Sequence, residues 1–221
     1  MKRIKLFAAG IGALVLSGSA FGQTQVTTLD DLVVNQGTIT RGDKLFSNFT
    51  YLATGDAPDA EDINVLGITD ELGNFGLRFQ GGFIDLPGGG ASDSLISYTV
   101  TVTDPNFVIS GARMQGNPDI FGPGSSVAGV TDTFLPQVTT ENLTIFDNGV
   151  IQQLDSSIFF EQTFTVLEVQ KDILLFTGPQ DAATVLSFVD QTYYQVPVPE
   201  PTSLALLGLG GLLMVRRRRD R

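Results

Sequence analysis

Apolar and polar residues alternate along most of the middle of this chain. In 96–103 the apolar Ile96, Tyr98, Val100 and Val102 interleave with Ser97, Thr99, Thr101 and Thr103. A repeat of two sends alternate side chains to opposite faces, the pattern of a strand with one buried face. The same reading predicts strands at 44–53, with Leu45, Ser47, Phe49 and Tyr51 on one face, and at 63–68, 75–79 and 107–115. It predicts others at 127–134, 143–146, 158–169, 173–176 and 184–194. Turn-forming clusters separate them at 55–62, 87–94, 116–126 and 177–181, and Asp147-Asn148-Gly149 is a hairpin signal. No stretch has the spacing of an amphipathic helix, and no fixed repeat points to a propeller or solenoid. About ten short strands between Gly- and Pro-rich turns predict an all-β domain, a single β-sandwich or jelly roll, over 23–195.

The alternation stops at both ends. Met1-Lys2-Arg3-Ile4-Lys5 is basic, 6–16 is apolar, and Ser17 to Gly22 is rich in small residues. That order predicts a secretory signal peptide over 1–22, with the small Ala20 and Gly22 placing signal-peptidase cleavage before Gln23 or after Ala20. At the other end, 196–201 is a Pro-rich breaker, 202–215 carries no charge, and Arg216, Arg217, Arg218 and Arg219 follow in a row. Fourteen helical residues reach roughly 21 Å, short of a hydrocarbon core of about 30 Å. The tail therefore predicts a transient inner-membrane anchor, a short transmembrane helix with its arginines on the cytoplasmic side.

Pro199-Glu200-Pro201, the apolar stretch and the arginine cluster, in that order, resemble the PEP-CTERM sorting signal of Gram-negative bacteria. The resemblance covers 196–221. It implies recognition by an exosortase, with cleavage at or near Pro199, Glu200 and Pro201, and a place among the surface and matrix proteins of bacteria that make exopolysaccharide and biofilm. Three phrases of the body, 42–49, 171–173 and 187–193, also resemble recurrent phrases of such proteins. None of them brings an active site.

Composition narrows the chemistry. The chain has no Cys, no His and no Trp. Thiolate nucleophiles, disulfides, Cys or His metal ligands and His-based triads are all excluded. Removal of 1–22 and 202–221 takes away eight of the 13 basic residues and one of the 24 acidic ones, leaving five against 23 and a net charge of −18. The remaining Arg41, Lys44, Arg78, Arg113 and Lys171 are scattered, so nucleic acid is not a partner. So acidic a chain is soluble and attracts divalent cations.

Four carboxylates, Asp56, Asp59, Glu61 and Asp62, fall within seven residues of one loop. Calcium takes six to eight oxygen ligands and extracellular sites can be weak, so a weakly bound Ca²⁺ is the one cofactor the sequence suggests. Asp30-Asp31 and Asp70-Glu71 are sparser versions. Gly88-Gly89-Gly90 lacks the Lys and the helix of a phosphate loop and reads as a turn. Thr99, Thr101 and Thr103 form a ladder on one strand only, and the Asn48 and Asn142 glycosylation patterns read as chance. The expectation is therefore a non-catalytic structural or adhesive protein of the cell surface or extracellular matrix, with extracellular polysaccharide as a partner. The alternative is a carbohydrate-binding module using Tyr51, Tyr98, Tyr193, Tyr194 and Phe. A glycosidase working with carboxylates alone is the third reading.

Overall fold

The computed structural model describes residues 26–136 and 142–198. The strands are β1 (Val26–Thr28), β2 (Ile39–Arg41), β3 (Lys44–Thr54), β4 (Asn64–Thr69), β5 (Phe75–Asp85), β6 (Ser92–Val102) and β7 (Phe107–Gly116). They continue with β8 (Asp119–Phe121), β9 (Val127–Leu135), β10 (Leu143–Asp147), β11 (Gln152–Gln153), β12 (Asp155–Phe164), β13 (Val166–Phe176) and β14 (Ala183–Pro197). Two seven-stranded sheets result. Sheet A runs β1-β4-β5-β14-β7-β12, with β8 also on β14, and sheet B runs β11-β10-β9-β13-β6-β3-β2. The described pairings are antiparallel, and the two sheets close a β-sandwich, as the alternation predicts.

The inner faces of both sheets make one core. Burial alternates strictly along β6, with Ile96, Tyr98, Val100 and Val102 inward. Phe46, Phe49 and Phe79 surround the Tyr98 ring at centroid distances of 5.7–6.2 Å. Tyr98 and Tyr193, from opposite sheets, meet hydroxyl to hydroxyl at 2.7 Å, which satisfies both polar tips inside the core. Phe134, Phe160 and Phe164 fill a second region.

Three expectations need correction. On β3 the buried residues are Lys44, Phe46 and Phe49, so Leu45 and Ser47 lie on the opposite face from Phe49. The β3–β6 register shifts between Ser47 and Thr50, and Asn48 has φ of 57°. The inserted residue changes the phase of the strand halfway along. The segment 158–169 is two strands in different sheets, β12 and β13, and the second runs on through 173–176. A helix also exists: α1 (Leu29–Val34) is capped by Thr28, whose hydroxyl accepts from the Asp31 N–H at 3.2 Å, and buries Leu29 and Leu32. Its Asp30 and Asp31 occupy the first turn, where the helix dipole favours anions.

Among the described residues no helix is long and apolar enough to cross a membrane. The signal peptide with Ala20 and Gly22, and the sorting tail from Pro199 onward with Glu200, Pro201 and Arg216 to Arg219, lie outside the described residues.

Candidate functional site

The outer face of sheet A differs from the rest of the surface. Registers across β5, β14, β7 and β12 align Arg78, Asp190, Gln115 and Asp155 in one row. The next row aligns Thr192, Arg113 and Ser157, and the one beyond it Tyr194 and Gly111. Phe159 also pairs with Gly111, from the other side. These residues are far apart in sequence, and only strand pairing assembles them.

Two arginine forks organise the polar rows. Arg78 donates from Nε and Nη2 to the two oxygens of Asp190, each at 2.7 Å, and its guanidinium lies 4.4 Å from the centre of the Phe188 ring. Arg113 donates from Nε to Asp155 Oδ1 at 3.0 Å and from Nη2 to Asp155 Oδ2, and reaches Glu71 at 3.2 Å. Gln115 donates to Asp155 Oδ2 at 3.0 Å. Hydrogen bonding to Asp190 and Asp155 pushes both guanidinium groups above their ordinary value, so both stay charged. Bidentate forks hold planar groups in fixed orientation, so polar atoms here are positioned in advance.

Arg78, Asp190 and Gln115 line an open cleft of about 250 Å³ with Ile68, Thr69, Asp70, Glu71 and Thr192. Asp70 is anchored at its rim. Its carboxylate accepts from the Leu72 and Asn74 backbone N–H groups at 3.0 and 2.8 Å, from the Asn74 amide at 2.9 Å and from the Thr192 hydroxyl at 3.0 Å. Burial opposes its ionisation, but these hydrogen bonds win and hold its pKa below the ordinary value.

One step along the strands the surface turns aromatic. Phe159 of β12 and Tyr194 of β14 stack at 5.1 Å with an 18° interplanar angle. They meet because β7, which runs between them, carries Gly111: a Cβ there would come within 3.0 Å of the Tyr194 ring and 2.5 Å of the Ile158 carbonyl oxygen. Phe159 is 72% exposed. A large ring in the open, fixed by a second ring, is a flat apolar platform beside a polar cleft.

The acidic loop is a different case. Asp56 accepts from the Leu86 N–H at 3.1 Å and its own N–H donates to Ser92 at 2.8 Å. Asp59, Glu61 and Asp62 sit on an exposed single-turn 3₁₀ segment, Ala60–Asp62, and its N-terminal flank. Among the described residues no three acidic side chains gather as a metal ion would need. Gly88 and Gly90 have positive φ with open space around them, a turn. Thr99 accepts from Asn48 at 3.2 Å on the outer face of sheet B. Of the four tyrosines weighed for sugar contact, Tyr98 and Tyr193 are core residues and Tyr51 is tied to the Pro58 carbonyl at 2.7 Å. Tyr194 alone faces the aromatic platform. Phe159 and the arginine forks carried no sequence signal of a shared site. The Asp70-Glu71 pair, read as a minor acidic cluster, contributes to the cleft.

The PEP-CTERM protein-sorting motif matches residues 197–219. The chain is thus an exported protein that carries this sorting signal. No curated protein matches it. Among solved structures, TmCBM61 in complex with β-1,4-galactotriose aligns at 10% identity and a TM-score of 0.28, over 67% of this chain and 88% of that one. Carbohydrate-binding modules of the β-sandwich superfamily, described as promiscuous in specificity, align at 12% identity and TM-score 0.29, over 71% of this chain and 58% of theirs. The enzymatically active domain of tailspike protein 4 from bacteriophage CBA120 aligns at 8% identity and TM-score 0.30, over 66% of this chain and 19% of that one.

Proposed function

We propose that this exported, exosortase-processed protein is a non-catalytic adhesin of the cell surface or extracellular matrix that holds a polysaccharide on the outer face of sheet A. The observation that carries the reading is the Phe159–Tyr194 stack over Gly111, one strand step from a cleft lined by the Arg78–Asp190 fork and flanked by the Arg113–Asp155 fork, which reaches its Glu71. A sugar ring offers an apolar face of C–H bonds and a rim of hydroxyls. The platform suits the first. The second suits carboxylate and amide oxygens and the N–H donors left over on each five-donor guanidinium. Asp155 and Asp190 are each held by an arginine, an arrangement that serves recognition better than proton transfer. A net charge of −18 for the processed chain favours neutral over anionic glycans.

The test is a glycan array and affinity electrophoresis on immobilised neutral and anionic polysaccharides with the processed protein. Retention by a neutral polysaccharide that falls about tenfold or more in Phe159→Ala and Tyr194→Ala supports the reading; a tenfold change corresponds to about 1.4 kcal/mol, the scale of one aromatic contact. Retention unchanged in both variants, or none on any glycan, refutes it.

A further inference from the structure

The processed chain contains two lysines, Lys44 and Lys171, and both are fully buried. Lys171 lies on the inner face of β13, opposite Asp132 on its neighbour β9. Its Nζ donates to Asp132 Oδ1 at 2.7 Å and to Gln191 Oε1 at 3.0 Å, and lies 3.3 Å from Met114 Sδ. Gln191 belongs to β14, in the facing sheet. The three groups are therefore a lysine amine, a carboxyl and a primary amide brought together across the sandwich, away from solvent.

The pattern of satisfied and unsatisfied atoms is informative. Asp132 Oδ2 and Gln191 Nε2 are buried and without a hydrogen-bond partner. A buried ion pair retained for stability gains from having its remaining lone pairs and protons satisfied. Here the two orphaned atoms are a carboxyl oxygen and an amide nitrogen. These are the proton carrier and the leaving group that transfer of the Gln191 acyl group to Lys171 requires.

We propose that Lys171 and Gln191 become joined by an intramolecular isopeptide bond, with Asp132 moving the proton. Lys171 Nζ attacks Gln191 Cδ, and a C–N bond forms. Asp132 gives its proton to Nε2 and regains one from Nζ. The Cδ–Nε2 bond breaks and ammonia leaves, so the carboxyl ends as it began and no oxidant or cofactor is needed. Burial depresses the Lys171 pKa and raises that of Asp132, which moves the pair toward the neutral amine and carboxylic acid the step starts from. The contact of Nζ with Oε1 puts the amide carbon near attacking distance, and the surrounding core excludes the water that would compete. The product staples sheet B to sheet A. Lys44 repeats part of the arrangement with Asp43 and Gln195. Gln195 is only half-buried, so water reaches that amide and the assignment stays with Lys171.

Peptide mapping of the exported, processed protein, denatured before digestion, tests this. The expected result is a linked pair of peptides, one bearing Lys171 and the other Gln191, lighter than their sum by one ammonia. The linked pair is the readout, not the intact mass, because an N-terminal Gln23 would cyclise with the same loss. Asp132→Asn, where it folds, is expected to yield the two peptides separately. Lys171 recovered unlinked and reactive toward an amine reagent in the denatured wild type overturns the proposal. So does Lys171 joined to Asp132 with loss of water.

Discussion

The inside of the sandwich and the outer face of sheet A use the same kind of ion pair in opposite ways. Outside, Arg78 and Arg113 present flat forks to Asp190 and Asp155 in contact with water. Inside, Lys44 and Lys171 meet Asp43 and Asp132 with no exposure of either lysine. An ammonium is compact and its pKa yields to burial; a guanidinium stays charged and orients its partners. The split teaches that charge in this domain is sorted by chemistry. The cation able to become a neutral nucleophile is enclosed, and the one that remains a rigid donor is displayed.

The largest effect belongs to the interior. Lys171→Met removes the proposed staple and leaves the Asp132 carboxyl buried without its Lys171 partner, and denaturant unfolding at neutral pH should register a loss of about 3–5 kcal/mol. Adding Asp132→Leu should recover the part due to the buried carboxyl and leave the part due to the lost link. A single variant within about 1 kcal/mol of wild type would erase the contrast between the two regions. Next, Tyr98→Phe removes the hydroxyl that pairs with the Tyr193 hydroxyl inside the core, and should cost about 1–3 kcal/mol in the same measurement.

The outer face should respond in binding rather than in stability. Arg113→Gln is expected to change unfolding by less than about 1 kcal/mol, since its partners Asp155 and Glu71 are largely solvated, while weakening retention on a polysaccharide. A loss of stability as large as that of Lys171→Met would mean the fork is structural. A smaller, pH-dependent effect sits at the cleft rim. The pKa of Asp70 is depressed in the fold, so its contribution is present above the unfolded value of about 3.8 and fades as pH falls through the folded one. Asp70→Asn should therefore be less stable than wild type by a constant margin above about pH 3.8, and that margin should vanish as pH falls through the low window. The smallest effect is on the loop of Asp56, Asp59, Glu61 and Asp62. Calcium and sodium at matched ionic strength should raise Tm equally there, because the side chains do not converge.

Alternation made much of the fold legible. On β6 the inward Ile96, Tyr98, Val100 and Val102 follow from it, while the inward Ser92 and Ser94 do not. On β3 it fails at Asn48, because a bulge changes phase without changing composition. The interior ion pair was also within reach: Lys171 falls in the same phase as Val169 and Ile173, and Asp132 in that of Val130 and Phe134. A charge that keeps the apolar phase of a strand is a candidate for burial beside another such charge. The outer site offered no comparable sign. Phe159, Gly111 and Tyr194 become neighbours through the pairing of β12, β7 and β14, and pairing of distant strands leaves no trace in local periodicity.

The position of β14 has a mechanical consequence. This strand is hydrogen-bonded on both sides, to β5 and β7, and it ends at Pro197, where the sorting motif begins. The backbone bond from Val198 to Asn106, at 2.8 Å, carries the pairing to that junction. A pull on the tail, from the membrane before cleavage or from whatever the processed end is attached to afterwards, enters the domain along a strand in the middle of a sheet. Force then acts parallel to the strand and strains its two rows of hydrogen bonds together, in shear, where an edge strand would peel away one bond at a time. Tension applied through the tail meets the part of the sandwich built to resist it, and Asp190, Thr192 and Tyr194 of the proposed glycan-binding face ride on the same strand.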